Sequence, residues 1–314
     1  MRVLRLACLP ALTALALIVP AQAAALPAPA VTTGGVSNVA YSSAILYGYV
    51  DARGEVTAYS FQYGPTSAYG AQSPLAPAGN GTSSVKVSQA IAGLQPGITY
   101  HYRILASGPG GTVKGADRTF GTPKVPLSVQ IVGAPNPVVF GAPFFVEGTL
   151  SGTGASAHEV ALQANPFPYL AGFKTVGDPE LTSASGGFSF PSLVLQENAQ
   201  LRVLTVGSPV VVSPIVVESV AVRIAFHVRR ARRRGFVRLY GTVAPAEVGA
   251  LVGFQLLTPG RSVNEGGTVV KAGTTTVSQF SRVVRLHHRG LYRALVKISD
   301  GAHVLNFSAP ILIR

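Results

Sequence analysis

Apolar and polar residues alternate in short runs along this chain, and Gly- and Pro-rich turns separate the runs. Ala44, Leu46, Gly48 and Val50 share one side of a predicted strand. Tyr59, Phe61 and Tyr63 share one side of the next, with Asp51 to Glu55 as the turn between them. Val85, Val87 and Ile91 mark a further strand, with a slip in alternation before Ile91. The clearest run follows the Pro96-Gly97 turn. Tyr100, Tyr102, Ile104 and Ala106 fall on one face, His101 and Arg103 on the other, and Leu105 is an apolar exception. Gly108-Pro109-Gly110-Gly111 then turns into a last strand ending at Phe120. The turn before Tyr100 predicts the corner at which one sheet of a β-sandwich closes onto the other.

The remainder of the chain reads as two copies of a second unit. Phe144 to Leu150 parallels Val237 to Val243, with Gly148 and Gly241 at matching places. Leu201-Arg202-Val203 parallels Tyr292-Arg293-Ala294, and Ser213-Pro214-Ile215 parallels Ala309-Pro310-Ile311. The period is about one sandwich long. The expected organisation is a leader at 1–24, then sandwiches at 29–122, 127–219 and 220–314. Residues 121–126, with two prolines, form a short semi-rigid linker. Pro214 to Arg223 reads as one strand running almost directly into the next, which predicts a stiff join. The fold class is all-β, three tandem β-sandwiches.

Composition agrees with many short strands. The hydrophobic fraction of 47% is ample for packed cores and excludes wholesale disorder. With 35 glycines, 23 prolines and only 12% charged residues, turns outnumber long helices.

Several local motifs resemble one family. Ser42 to Gly48, the pair Phe61 and Tyr63-Gly64, Gly93-Leu94-Gln95-Pro96-Gly97-Ile98-Thr99-Tyr100 and the exit Phe120-Gly121-Thr122-Pro123 are similar to a bacterial exported fibronectin type III domain. The resemblance covers under a third of the chain. It implies a seven-strand sandwich in which Tyr100 is the structural corner tyrosine. The tryptophan common in eukaryotic members is absent, and Leu46 takes its place. The two later units resemble immunoglobulin-like repeats of exported bacterial proteins. The fibronectin type III family holds spacers, adhesive modules and appendages of polymer-degrading enzymes, so the resemblance implies a fold and not an activity.

The N-terminus has the form of a secretory signal peptide. Arg2 and Arg5 precede an apolar run from Leu6 to Val19, and Ala21-Gln22-Ala23 fits a cleavage site. The lone cysteine, Cys8, lies inside this leader, so the mature protein is expected to carry neither thiol nor disulfide. No later stretch reaches membrane-spanning length. The expected location is secreted, extracellular or cell-wall associated.

Charge changes the picture only in the last unit. Residues 220–314 carry fifteen basic and three acidic side chains, against a formal total of +13 for the whole chain. Arg229, Arg230, Arg232, Arg233 and Arg234 lie at the centre, between the apolar run Ile224, Phe226, Val228 and a strand beginning at Phe236. This places the arginines on a hairpin loop or flap. They read in two ways: as a solvated loop that discourages edge pairing, or as a candidate anion-binding patch for a cell-wall polymer or another cell-surface component. Nucleic acid is the weakest partner, since no aromatic stacking motif accompanies the arginines.

Other chemistry is thin. Neighbours His287 and His288 on a strand would face opposite ways and not share a metal. Asp178-Pro179-Glu180 lacks the spacing of a calcium loop. Arg53-Gly54-Glu55 reads as a turn. No catalytic, cofactor-binding or metal motif stands out, and the glycine clusters lack the lysine and helix of a phosphate cradle. The chain reads as a non-catalytic structural or interaction protein of the cell exterior, with an anionic-polymer binder as the alternative and an enzyme a distant third.

Overall fold

The computed structural model describes residues 25–314, so the leader expected at 1–24 lies outside the described residues. Every regular element among the described residues is a strand. The chain divides between Pro123 and Lys124 into two compact units.

The first unit is a sandwich of two sheets. Strand Ser43–Asp51 lies between Ala30–Ser37 and Val85–Ala92 in one sheet. Thr57–Gly64 and Thr99–Gly108 form the centre of the other. Short strands Ala71–Gln72, Ala76–Gly79, Gly111–Lys114 and Arg118–Gly121 flank that centre. The alternating residues meet between the sheets, where Leu46, Phe61 and Ile104 have no exposed surface. Burying each such side chain stabilises the fold by roughly 1.5–3 kcal/mol. The Asp51 to Glu55 turn carries the chain from one sheet to the other, because its flanking strands belong to different sheets.

One expectation about this unit fails. The strand at Val85–Ala92 pairs with Ser43–Asp51 without a break, so there is no slip before Ile91. Gln89 occupies the inward slot between Val87 and Ile91, and its amide donates to the Pro74 carbonyl at 3.3 Å. Val85, at the strand's start, is exposed.

Tyr100 is 7% exposed and stacks on Phe120 with ring centroids 5.7 Å apart. Its hydroxyl accepts the Gln95 backbone N–H at 2.8 Å, tying the strand to the turn before it. The third sandwich contains a counterpart. Tyr292 is fully buried and donates to the His288 carbonyl at 2.8 Å.

The second unit holds two further sandwiches. In the first of these, Ser128–Gly133, Pro143–Ser151 and Gly187–Val194 face a sheet centred on Glu159–Pro166 and Ala199–Thr205. In the next, Arg223–Arg230, Phe236–Ala244 and Ser278–Arg285 face a sheet centred on Leu251–Thr258 and Gly290–Lys297. Gly148 and Gly241 recur for a steric reason. A Cβ on Gly148 would stand 2.2 Å from the Phe188 ring, and one on Gly241 would stand 2.6 Å from the Phe280 ring. Each phenylalanine sits directly across the ladder and folds over its glycine.

A polar pair is built the same way in all three sandwiches. Arg103 Nε donates to Gln62 Oε1 at 2.9 Å, Arg202 Nε to Gln163 Oε1 at 2.8 Å, and Arg293 Nε to Gln255 Oε1 at 2.9 Å. Each pair sits directly across the two central strands of its sheet. Each guanidinium also covers an aromatic ring, at 4.5 Å over Tyr69, 4.0 Å over Phe173 and 3.8 Å over Phe307.

The linker expected at 121–126 is mostly claimed by the units it joins. The Thr122 N–H donates to the Ile98 carbonyl and the Gly97 N–H to that of Pro123. Val125 exchanges backbone and side-chain bonds with Thr153.

Between the second and third sandwiches, the backbone at 219–222 is hydrogen-bonded on both edges. On one edge, Val138 N–H donates to Ser219 O at 2.9 Å and Phe140 N–H to Ala221 O at 2.8 Å. On the other, Val304 N–H donates to Val220 O at 2.9 Å and Val222 N–H to Val304 O at 3.4 Å. Asn198 locks the same place. Its Nδ2 donates to Gly301 O at 2.9 Å and its Oδ1 accepts the Val220 N–H at 2.7 Å.

Two stability predictions follow from these contacts. Tyr100→Phe leaves the Gln95 N–H without its partner and should cost about 1–2 kcal/mol. Tyr41→Phe, at a side chain 46% exposed, should stay within about 0.5 kcal/mol. Equal shifts in denaturant melts would remove the special role of Tyr100. Asn198→Ala strands the buried Val220 N–H and should cost about 2–3 kcal/mol. Amide exchange at 220–222 and 304 should quicken while the first unit keeps its protection, and unchanged exchange at Val220 would contradict the locking role.

Candidate functional site

The arginine cluster lies at one end of the third sandwich. The strand Arg223–Arg230 continues through Arg229 and Arg230, which pair across the ladder with Arg238 and Val237. This corrects the expectation of a five-arginine loop. The partner strand beginning at Phe236 extends far enough to keep both residues in the sheet. Only Arg232, Arg233 and Arg234 belong to the turn, where the Ala231 N–H bonds Phe236 O and the Phe236 N–H bonds Arg233 O. Gly235, at φ +78°, returns the chain to the strand.

All five arginines are exposed. Arg229 stands directly opposite Arg238, a like-charge pairing that weakens a sheet unless something offsets it. An aromatic ring offsets part of it, since Arg229 lies 5.5 Å from the Tyr240 ring centre; in the turn, Arg233 lies 4.4 Å from that of Phe236. Among the described residues, no carboxylate comes within ion-pairing distance of any arginine or lysine; the four close pairs all use histidine.

Two open hollows flank the turn. One, of about 710 Å³, is lined by Arg230, Arg233, Arg234, Arg289 and Arg314 together with His287 and His288. The other, of about 600 Å³, is lined by Arg229, Arg230, Arg232, Arg233 and Arg238. Sequence reasoning missed Arg238, Arg289 and Arg314, which the fold brings to the same end. His287 and His288 follow the strand Ser278–Arg285 and lie outside it, so the opposite-face expectation does not apply. His288 Nδ1 lies 3.7 Å from Glu265 Oε1. The arrangement can bind an anion through guanidinium forks.

A second cluster sits at the join of the last two sandwiches. One ligand-capable atom each from Glu247, Asp300 and His303 lies within 4.8 Å of the others. His303 Nδ1 is 2.5 Å from Asp300 Oδ2 and 3.5 Å from Glu247 Oε1. Its Nε2 is 2.8 Å from the Gln196 carbonyl, and its ring meets Phe140 edge-on at 5.9 Å. Asp300 Oδ1 accepts the backbone N–H groups of Ala302 and His303, at 3.1 and 2.9 Å. Burial raises the Glu247 carboxyl above the ordinary range, and the neighbouring Asp300 adds to the rise. Asp300 lies below its ordinary range; burial opposes the shift, and the hydrogen bonds from His303 outweigh it. Sequence reasoning did not find this group, because its members come from separate loops with no motif spacing.

Elsewhere, His101 Nδ1 contacts Asp117 Oδ2 at 2.8 Å on the first sandwich, and Tyr69 donates to Asp117 Oδ1 at 2.9 Å. Those contacts hold Asp117 below its ordinary range, the His101 bond foremost. Glu180 lies in a short edge strand paired with Val160.

Glu218 is the most anomalous charge. It has no exposed surface, and neither carboxylate oxygen has a hydrogen-bond partner. Desolvation alone pushes its pKa up to about 7. It ends the strand Val216–Glu218, one residue before the doubly bonded join.

No protein-family model matches the chain, and no curated protein matches it. Solved structures do. A tetra-tandem repeat in the extending region of a large adhesion protein is 17% identical, over 92% of this chain and 76% of that one, at a TM-score of 0.37. The chicken CNTN1 FN1–FN3 domains are 13% identical, over 89% and 95%, at 0.27. Trypsin-activated alpha-2-macroglobulin from Escherichia coli is 12% identical, over 89% and 23%, at 0.26. Among the described residues, no helix is long and apolar enough to cross a membrane.

The raised pKa of Glu218 makes the second unit pH-sensitive. The folded state keeps this proton up to about pH 7, whereas the unfolded chain releases it near the ordinary value. Stability is therefore full below the unfolded pKa and is lost as pH rises through the folded one, by on the order of 3 kcal/mol at the plateau. Glu218→Gln should flatten that part of the profile. Parent and variant melts with the same slope between pH 5 and 8 would show that Glu218 does not titrate in this way.

Proposed function

We propose that this is an exported, non-catalytic structural and interaction protein of the cell exterior. It is built from tandem β-sandwich modules, the first of the fibronectin type III kind and the next two immunoglobulin-like, with boundaries near 29–122, 127–219 and 220–314. The observation that carries this reading is the join at 219–222, bonded on both edges. Such a join passes load and orientation from one sandwich to the next, which suits a module that holds a surface in place. The three-stranded sheet facing a sheet built on two long central strands, and the Tyr100–Gln95 bond, support the fibronectin type III assignment.

A specific observation favours a second reading, in which the third sandwich binds an anionic cell-wall polymer or another anionic cell-surface component. Arg229 and Arg238 face each other across the ladder with no carboxylate in reach. An anion seated beside them would relieve the repulsion. Arg229, Arg230, Arg232, Arg233 and Arg234 are its proposed contacts.

One experiment tests both readings. The full chain is sedimented with purified cell-envelope material across a salt series. Each near-surface arginine contributes on the order of 1 kcal/mol against an anionic surface. Exchanging all five for serine should therefore weaken binding by about 10³-fold or more. Retention should also fall steeply as salt screens contacts beyond roughly 8–10 Å. Salt-resistant retention that survives the serine exchange would locate the interaction on another surface and overturn the anion reading. Failure of the parent to sediment at any salt concentration would leave neither reading with a cell-envelope partner.

A further inference from the structure

We propose that Glu247, Asp300 and His303 hold a divalent transition-metal ion of the zinc class, and that the ion clamps the second sandwich to the third. The three ligand atoms already stand within 4.8 Å of one another. Atoms of a tetrahedral site with bonds of ~2.0–2.1 Å stand roughly 3.3 Å apart. His303 Nδ1 and Glu247 Oε1, 3.5 Å apart, match that spacing. Asp300, 2.5 Å from the same nitrogen, has to swing back by less than about 1 Å. Its side chain is 30% exposed, which leaves room to do so.

The surroundings orient these groups as metal ligands are oriented. His303 Nε2 donates to the Gln196 carbonyl, 2.8 Å away, which fixes the ring with Nδ1 toward the two carboxylates; Nδ1 donates to Asp300 Oδ2 in the metal-free protein, and the ion takes the place of that proton, which leaves to solvent. Two backbone N–H groups occupy Asp300 Oδ1 and leave Oδ2 for the ion. The His303 side chain is only 9% exposed, so its ring cannot wander. Among the described residues, no lysine or arginine nitrogen pairs with either carboxylate; His303 alone faces both, and a bound ion would replace its Nδ1 proton as their positive partner. A hollow of about 510 Å³ reaches Glu247 and Asp300, giving an entry path and room for a water as fourth ligand. One imidazole and two carboxylates suit zinc and its neighbours. Calcium takes six to eight oxygens, more than these side chains offer.

The ion would tie separate parts of the second unit together. Glu247 and Asp300 belong to loops of the third sandwich, while His303 also holds Gln196 and Phe140 of the second.

The full-length protein, stripped with a chelator, is titrated with zinc chloride and separately with calcium chloride. Zinc should bind one per chain and raise the melting temperature, and calcium should do neither. Cobalt chloride should give the visible absorption of a tetrahedral site with a nitrogen ligand. Glu247→Gln keeps the shape and touches neither Gln196 nor Phe140. It should melt like the metal-free parent and bind zinc at least about 10–100-fold more weakly, the loss that even outer-shell partners cause. The paired change His287→Gln and His288→Gln should leave binding intact. The proposal is overturned if the parent takes up no zinc, if Glu247→Gln binds it as tightly as the parent, or if the His287 and His288 changes abolish binding.

Discussion

A buried backbone has to find a partner for every N–H and C=O it carries, and this demand governs the second unit at residues 219–222. Val220, Ala221 and Val222 are essentially without exposed surface. Neither neighbouring sandwich could bury them alone, because each supplies one edge of the pairing: Val138 and Phe140 on one side, Val304 on the other. The join is therefore a piece of sheet shared by two bodies. Asn198 accepts the Val220 N–H, Asn306 donates to the Val222 carbonyl, and Asn136 brackets the start of the segment by bonding Val217 O and Ser219 N–H. The two unusual titratable features of the unit, Glu218 and the cluster at His303, both border this shared segment.

Around that constraint the three sandwiches repeat one plan. In each, a glutamine on one central strand accepts from an arginine on the next, and the arginine covers a ring. The plan survives large sequence divergence because it needs few residues. A strand pair places the partners opposite each other, and the ring fixes the plane of the guanidinium. The glycines follow a related economy: at Gly148 and Gly241 a Cβ would meet both the phenylalanine across one ladder and a backbone carbonyl of the other neighbouring strand, that of Gln130 and that of Ala225 respectively.

Local features were the legible ones. Alternation reveals an inward face whenever most of its slots are apolar, as at Pro143–Ser151 and Thr99–Gly108. It misleads where a polar residue takes an inward slot, as Gln89 does, because the Pro74 carbonyl that receives its amide is invisible in the sequence. The arginine run reads as a loop because charge hides alternation; the ladder from Arg229 to Arg238 is set by the partner strand. Phe61-Gln62-Tyr63, Leu162-Gln163-Ala164 and Phe254-Gln255-Leu256, each followed by an arginine between apolar residues, were a readable repeat that spans all three sandwiches. Glu247, Asp300 and His303 had no such signal, since folding alone brings their loops together.

The choice of glutamine over glutamate opposite Arg103, Arg202 and Arg293 has a consequence for the medium this protein tolerates. A carboxylate partner would release its arginine on protonation, and its attraction would fade in brine. An amide oxygen has no proton to gain, and a short, directional bond to it is little affected by dissolved ions. Acidification and salinity therefore leave the central strands of all three sheets clasped. Sensitivity to the surroundings falls instead on the arginine end, on the shared segment and on the His101–Asp117 pair, so the response to the medium comes from sites other than these clasps.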